Sequence, residues 1–345
     1  MFSCYRERVQ AFWKWFEANE PKLADYVDNM KNYDADEVVA FFSEGLNIAI
    51  DGCTFNVGGD REVTITPEGS YVMAFLTTYL VNSMPSKLKE NWNFFPWKTS
   101  FTGGALRMHD KDITAEDILV SVEEEDGRFG IEFYNDTLAE IDENQAYQIF
   151  YMMLDLSLGE NISMGFINWV DKAEAKKDGM IPLSELRQYI SDHHAEPVDD
   201  DYSPTDRWIT YSGKPSQDAD LLRYDIIAGH SCLRPLLEDY YSDEDAAYEL
   251  FKQNGVKAAF LAIERPEGEN YREIIDAFAD KIEEELLGLA GSGSEIGVLI
   301  GGATGEEYSY VDLLIYDEAV FSKALSSFLT NSDLQVQYCD FVARG

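Results

Sequence analysis

The last third of the chain constrains the fold most, because the apolar period changes there in a fixed order. Residues 258–263 are an unbroken apolar run of strand length. Tyr271, Ile275, Phe278, Ile282 and Leu286 then recur at helical spacing through 270–289, which places them on one face of a helix. After a glycine-rich break, 296–300 and 309–316 read as two strands joined by a loop at Gly301–Gly305. Phe321, Leu325 and Phe328 mark a second helix, and Leu334, Val336 and Tyr338 alternate in a closing strand. The order β-α-β-β-α-β predicts a ferredoxin-like unit, an antiparallel sheet with both helices on one face. A strand at 222–227 and a helix at 244–253 are expected before it.

The earlier part of the chain mixes the same two periods. Val9, Phe12, Trp13, Phe16, Leu23 and Val27 predict a helix over 5–27 broken at Pro21, and 36–44 a short helix ended by Gly45. Strands are expected at 46–50, 63–66 and 92–101, with an apolar helix at 71–84. A hairpin is expected between 118–124 and 128–134 across Glu125-Asp126-Gly127, and a long helix at 145–158 stopped by Gly159. The stretch 193–220 differs in kind, carrying Pro197, Asp199-Asp200-Asp201, Pro204 and Pro215 around one brief apolar patch at 208–211. The expectation is α+β with two domains, 1–195 and a ferredoxin-like 221–345, joined by an acidic, proline-containing linker at 196–220.

Charge narrows the function. The net charge is −38, yet 45% of residues are apolar and 13% aromatic, too much buriable surface for a disordered acidic chain. So acidic a chain, with pI near 4.2, argues against binding nucleic acid or membrane through phosphates, and for either solubility or a basic protein partner. Met1 to Arg8 runs straight into an amphipathic stretch without a signal-peptide core, and no stretch reaches 18 uncharged apolar residues. Cys4, Cys53, Cys232 and Cys339 are scattered, with no CxxC spacing. A soluble, cytoplasmic protein with reduced thiols is expected.

Short motifs add a resemblance. Phe12-Trp-Lys-Trp-Phe16, Val63-Thr-Ile-Thr-Pro-Glu-Gly69 ahead of the apolar helix, and Leu158-Gly-Glu160 resemble segments of a group of bacterial proteins of unknown function. Gly302-Ala-Thr-Gly305 and Tyr310-Val-Asp-Leu-Leu-Ile-Tyr316 resemble α+β domains related in fold to the protein inhibitor of ribonuclease E. The resemblance implies a fold class and no reaction, and carries over no catalytic residue.

Motifs for chemistry are weak. Residues 174–185 match an EF-hand loop at Gly179, Ile181 and Glu185, but Glu174 and Lys176 stand where the first carboxylate ligands belong, so no calcium is expected. The alternative reading is a helix ending near Lys177, an Asp-Gly turn and a new helix with Pro182 in its first turn. His193 and His194 are adjacent and diverge on a helix; His109 stands alone. His230 and Cys232 suggest a nucleophile pair only by proximity in sequence. Gly291–Gly297 has the reverse of the strand-to-helix order that cradles a pyrophosphate. No catalytic residue, cofactor or metal is expected.

Phe95, Trp97 and Phe101 form the one candidate partner-binding face. Because strand side chains alternate, 92–101 is either a strand covered on both sides or one with a face for a partner or ligand. These features point to a non-enzymatic protein-binding or regulatory protein of immunity or inhibitor type, whose acidic surface meets a basic partner. The alternative is a small-molecule enzyme with a carboxylate and tyrosine site that spacing does not reveal.

Overall fold

The computed structural model describes residues 2–342 except 102, 109–110, 126, 195–201, 217–220, 267 and 269. His109, Asp126, Pro197 and Asp199–Asp201 therefore lie outside the described residues. Helix α1 (Tyr5–Asp28) continues through Pro21, where a break was expected. A proline removes one helical hydrogen bond, but Phe16 before it and Leu23 and Val27 after it are buried in one core, which holds the two halves in line. Helix α2 (Ala35–Ala49) likewise passes through Gly45, so 46–50 is helical where a strand was expected. A Cβ at Gly45 would overlap the Trp15 indole, so this glycine permits close packing of α1 on α2 instead of stopping the helix.

Strands β1 (Thr54–Val57) and β2 (Glu62–Thr66) pair antiparallel. Helix α3 (Tyr71–Asn82) follows, and β3 (Asn93–Phe95) adds to β2 in parallel. The strand expected over 92–101 is thus three residues long, and Pro96, which cannot donate to a ladder, stands directly after it.

A second unit holds β4 (Ala105–Met108), β5 (Lys111–Thr114), β6 (Leu119–Glu125), β7 (Arg128–Tyr134), α4 (Asp136–Ala139), α5 (Glu143–Leu158), α6 (Glu160–Phe166), β8 (Ile167–Lys172), β9 (Ile181–Pro182) and α7 (Leu186–His193). β6 and β7 pair antiparallel as the expected hairpin, with Glu125 in the ladder opposite Arg128, and the sheet order is β8-β7-β6-β9. The helix expected to end near Lys177 is absent. Residues 167–172 instead pair parallel with β7, and Pro182 closes β9 ahead of a 3₁₀ turn. Phe129, Ile131 and Phe133 on β7 meet Phe150, Met153 and Leu154 on α5, with Leu186 and Ile190 of α7, in a core of their own.

The third unit comprises β10 (Ile209–Ser212), β11 (Ile226–Ser231), α8 (Arg234–Ser242), α9 (Ala246–Gln253), β12 (Lys257–Glu264), α10 (Tyr271–Lys281), β13 (Gly297–Gly305), β14 (Tyr308–Ile315), α11 (Glu318–Leu329) and β15 (Val336–Asp340). Its sheet is antiparallel throughout, in the order β10-β11-β13-β14-β12-β15. Ile275 and Phe278 of α10 and Phe321 and Leu325 of α11 cover one face with Leu261, Ile263, Leu313 and Ile315.

Three expectations need correcting here. The sheet has six strands among the described residues, because β10, in the stretch assigned to the linker, and β11, four residues later than expected, extend it past β13. A four-stranded unit standing alone is therefore not what forms. Gly301–Gly305 is not a loop: β13 runs through it, and Cβ atoms at Gly301 and Gly305 would strike the His230 carbonyl and the Asp225 carboxylate. Glycine lets those groups lie against the strand.

The opposite face of this sheet does not face solvent. Phe260, Ala262, Tyr310, Leu314 and Tyr316 share one buried cluster with Tyr5, Phe12, Trp13, Leu76, Tyr79 and Phe94. The expected boundary at 196–220 would put 5–94 and 226–341 in different domains, whereas here they close one core. Among the described residues no helix is long and apolar enough to cross a membrane.

Candidate anion-binding cleft

A cleft of ≈ 1900 Å³ opens where α3, the second unit and the third unit meet, walled by Tyr71, Arg128, Tyr202, Arg207, Trp208 and Arg223 among others. In a chain of net charge −38, four arginines line this one concavity; Arg234 is paired with Glu238, and Arg128, Arg207 and Arg223 are notable for their company.

Arg223 is 1% exposed and adopts a left-handed backbone, φ +70°, uncommon for a residue with a side chain. Its N–H donates to Tyr310 Oη at 2.8 Å, and Tyr310 Oη donates to Asp225. The guanidinium donates from both terminal nitrogens to Asp312 of β14 and from Nη2 to Tyr211 Oη at 3.1 Å. Phe341, Tyr310, Phe260 and Tyr240 present ring faces to it at 4.5 to 5.7 Å. Burial alone would lower its pKa, but Asp312 more than reverses that, so the charge is fixed.

Arg207 is 7% exposed and solved differently. Ser203 and Asp206 close a reciprocal capping box about the turn at Pro204–Asp206, which aims the next residue inward. Its Nη2 donates to the Asn161 carbonyl and Oδ1, and the guanidinium lies 5.2 Å from the Tyr71 ring centre. Nε and Nη1 are buried without a hydrogen-bond partner. No carboxylate among the described residues forms an ion pair with it, and burial lowers its pKa from the usual arginine value.

Arg128, at the start of β7, reaches the same tyrosine. Its Nη2 donates to the Ile167 carbonyl at 2.8 Å and to Tyr71 Oη at 3.3 Å, and its Nε is buried and unpaired. Two guanidinium groups thus share Tyr71 with no anion between them among the described residues. Orphaned buried donors of this kind cost about 1–3 kcal/mol each unless something outside the chain accepts from them.

The neighbouring proton carriers are held protonated. Burial pushes the Tyr202 hydroxyl to about 12 and the Cys232 thiol to about 12, and raises Tyr211. Cys232 Sγ donates to the Ile300 carbonyl, while His230 is exposed beside Trp208, ring centres 5.3 Å apart. The pair suggested by sequence is not a thiolate–imidazole couple. The cleft offers donors and aromatic faces, and at neutral pH it holds no activated nucleophile among these groups.

Phe95, Trp97 and Phe101 do not line this cleft. Phe95 and Trp97 are half-buried, and Phe101, 62% exposed, is the one open to solvent; Trp92 and Phe94 are the core residues, packed on Phe16. His193 stacks on Tyr189 while His194 meets Phe166, so the adjacent histidines diverge. Among the described residues no group of three or more His, Cys, Asp or Glu is placed to hold a metal ion. Arg207 was missed because Pro204-Thr-Asp-Arg-Trp208 reads as linker. The available signal was an Arg-Trp pair in a chain where cations are scarce.

No protein-family model, curated protein or solved structure matches the chain.

Proposed function

We propose that this is a non-enzymatic binding protein whose cleft receives a small anionic molecule, with Arg207 as its principal contact. The observation that carries the reading is a guanidinium more than nine-tenths buried, with two nitrogens unpaired and no ion-paired carboxylate among the described residues. A binding role is preferred to the enzymatic alternative because burial holds Tyr202, Tyr211 and Cys232 in the cleft wall in their proton-bearing forms. The C-terminal unit is read as ferredoxin-like with two added strands, supported by the order β13-β14-β12-β15 and by both helices lying on one face. A reducing, cytoplasmic setting is supported by Cys4, Cys53 and Cys232, which form no disulfide among the described residues. Thermal melts against a panel of small anions at low ionic strength test the binding. A rise in Tm that saturates with anion and disappears in Arg207→Gln is expected; no shift with any anion would end the reading.

A second reading has its own observation. With Arg128, Arg207 and Arg223 drawn into the cleft, the exterior is left still more acidic than the composition implies, as a surface for a basic regulatory partner would be. Capture from the host at low salt that is lost at high salt would support it. Capture unaffected by salt would count against an electrostatic partner.

A further inference from the structure

Resting on the binding reading above, we propose that the ligand presents a phosphate monoester dianion to Arg207 and Arg128 and a flat ring to Trp208. The charge count carries the first half. Two guanidinium groups meet at Tyr71, and neither has a carboxylate among the described residues. Asp206, next to Arg207 in sequence, has Oδ2 committed to the Ser203 N–H at 2.7 Å. A carboxylate ligand would balance one of the two charges; a phosphate monoester carries close to two at neutral pH and offers three acceptor oxygens. On these two arginines the unpaired donors are Arg128 Nε, Arg207 Nε and Arg207 Nη1; Arg223 Nε, in the same wall, is a fourth. Charge-assisted bonds of this type are the strong ones.

Trp208 carries the second half. It follows Arg207 directly, lines the same cleft and is 49% exposed, leaning on His230. Phe166 and Tyr202, ring centres 4.9 Å apart, line the cleft as well. An open indole beside an anion-binding arginine is suited to stack a planar group. The acidic exterior selects further: a polyanion is repelled along its whole length, whereas one compact dianion can sit at Arg207 and Arg128 in a cleft that Glu125, Asp206 and Glu238 also line.

Three probes separate the parts by calorimetry at low ionic strength: phenyl phosphate, inorganic phosphate and benzoate. Phenyl phosphate is expected to bind tightest, with inorganic phosphate and benzoate each about tenfold weaker or more. Its affinity should fall as pH drops through about 6, where the monoester loses its second charge. Arg128→Gln should bring phenyl phosphate down to the level of benzoate, and Trp208→Ala should bring it to the level of inorganic phosphate. Benzoate matching phenyl phosphate, with no pH dependence and no effect of Arg128→Gln, would overturn the dianion while leaving anion binding intact. Phenyl phosphate binding Trp208→Ala as tightly as the parent would overturn the ring contact. Binding of none of the probes, or binding untouched by Arg207→Gln, would remove the inference together with the reading beneath it. Should Arg207→Gln fail to fold, Arg207→Lys keeps the charge while losing the planar fork, and an unchanged affinity there would count equally against the site.

Discussion

Arg223 and Arg207 stand in the wall of one cleft, both buried, and the chain treats them in opposite ways. Arg223 is matched by Asp312, by Tyr211 and by four aromatic rings, so its charge belongs to the fold. Arg207 has a carbonyl, an amide oxygen and one ring, with two nitrogens left over. A buried charge paired with a carboxylate is a structural part even where one nitrogen, Arg223 Nε, has no partner, and removing the carboxylate is what hurts. A buried charge with no ion pair among the described residues weakens the empty protein, and removing the charge itself should relieve it.

The comparison breaks most visibly at Asp312. Asp312→Asn strands the Arg223 charge and should cost about 3–5 kcal/mol in urea unfolding, while Arg223→Met with Asp312→Leu should recover much of that loss. A single variant as stable as the parent would mean that Arg223 is no better paired than Arg207.

Asp155 offers an anionic counterpart to Arg207. Burial and the nearby Glu160 raise its carboxyl to about 6, with Lys98, 3.9 Å away, offsetting only part. The fold therefore prefers Asp155 protonated: this stabilisation is full below pH about 4 and is lost as pH rises past about 6 and the group is forced to ionise. Asp155→Asn should raise stability at pH 7 by about 1–3 kcal/mol and flatten the stability profile between those limits. An unchanged profile would show Lys98 to be a sufficient partner.

The smallest effect is expected at Arg207 itself. Arg207→Met should lie within about 1 kcal/mol of the parent, on the stabilising side, because it removes orphaned donors along with the bonds to Asn161. A loss as large as that of Asp312→Asn would make Arg207 a structural arginine and erase the contrast.

What could be read from sequence followed how locally each feature is determined. The β6–β7 hairpin and the strands and helices of 257–340 are written in alternation, helical spacing and turn residues, all of which act between near neighbours. Gly45 and Gly301–Gly305 misled for one reason: glycine marks either a turn or a close approach, and Trp15, His230 and Asp225, which decide between them, are far away in sequence. The cleft was not legible. Tyr71, Arg128, Asn161 and Arg207 come from four separate stretches, and what makes Arg207 notable is the lack of an ion-paired carboxylate among the described residues, which no spacing records.

The single core shared by residues 5–94 and 226–341 also sets a timetable. A ribosome adding about 5–20 residues per second needs tens of seconds to pass from the end of the first stretch to the end of the second. During that interval Phe12, Trp13, Phe16 and Leu76 have the short β1-β2-β3 sheet beside them but not the six-stranded sheet that completes their core, whereas the unit built on β6, β7 and α5 can bury its apolar face as soon as α7 has emerged. The middle of the chain is thus free to fold first, and the beginning must wait for the end. That order makes the nascent N-terminal helices the part of this protein most in need of shelter during synthesis.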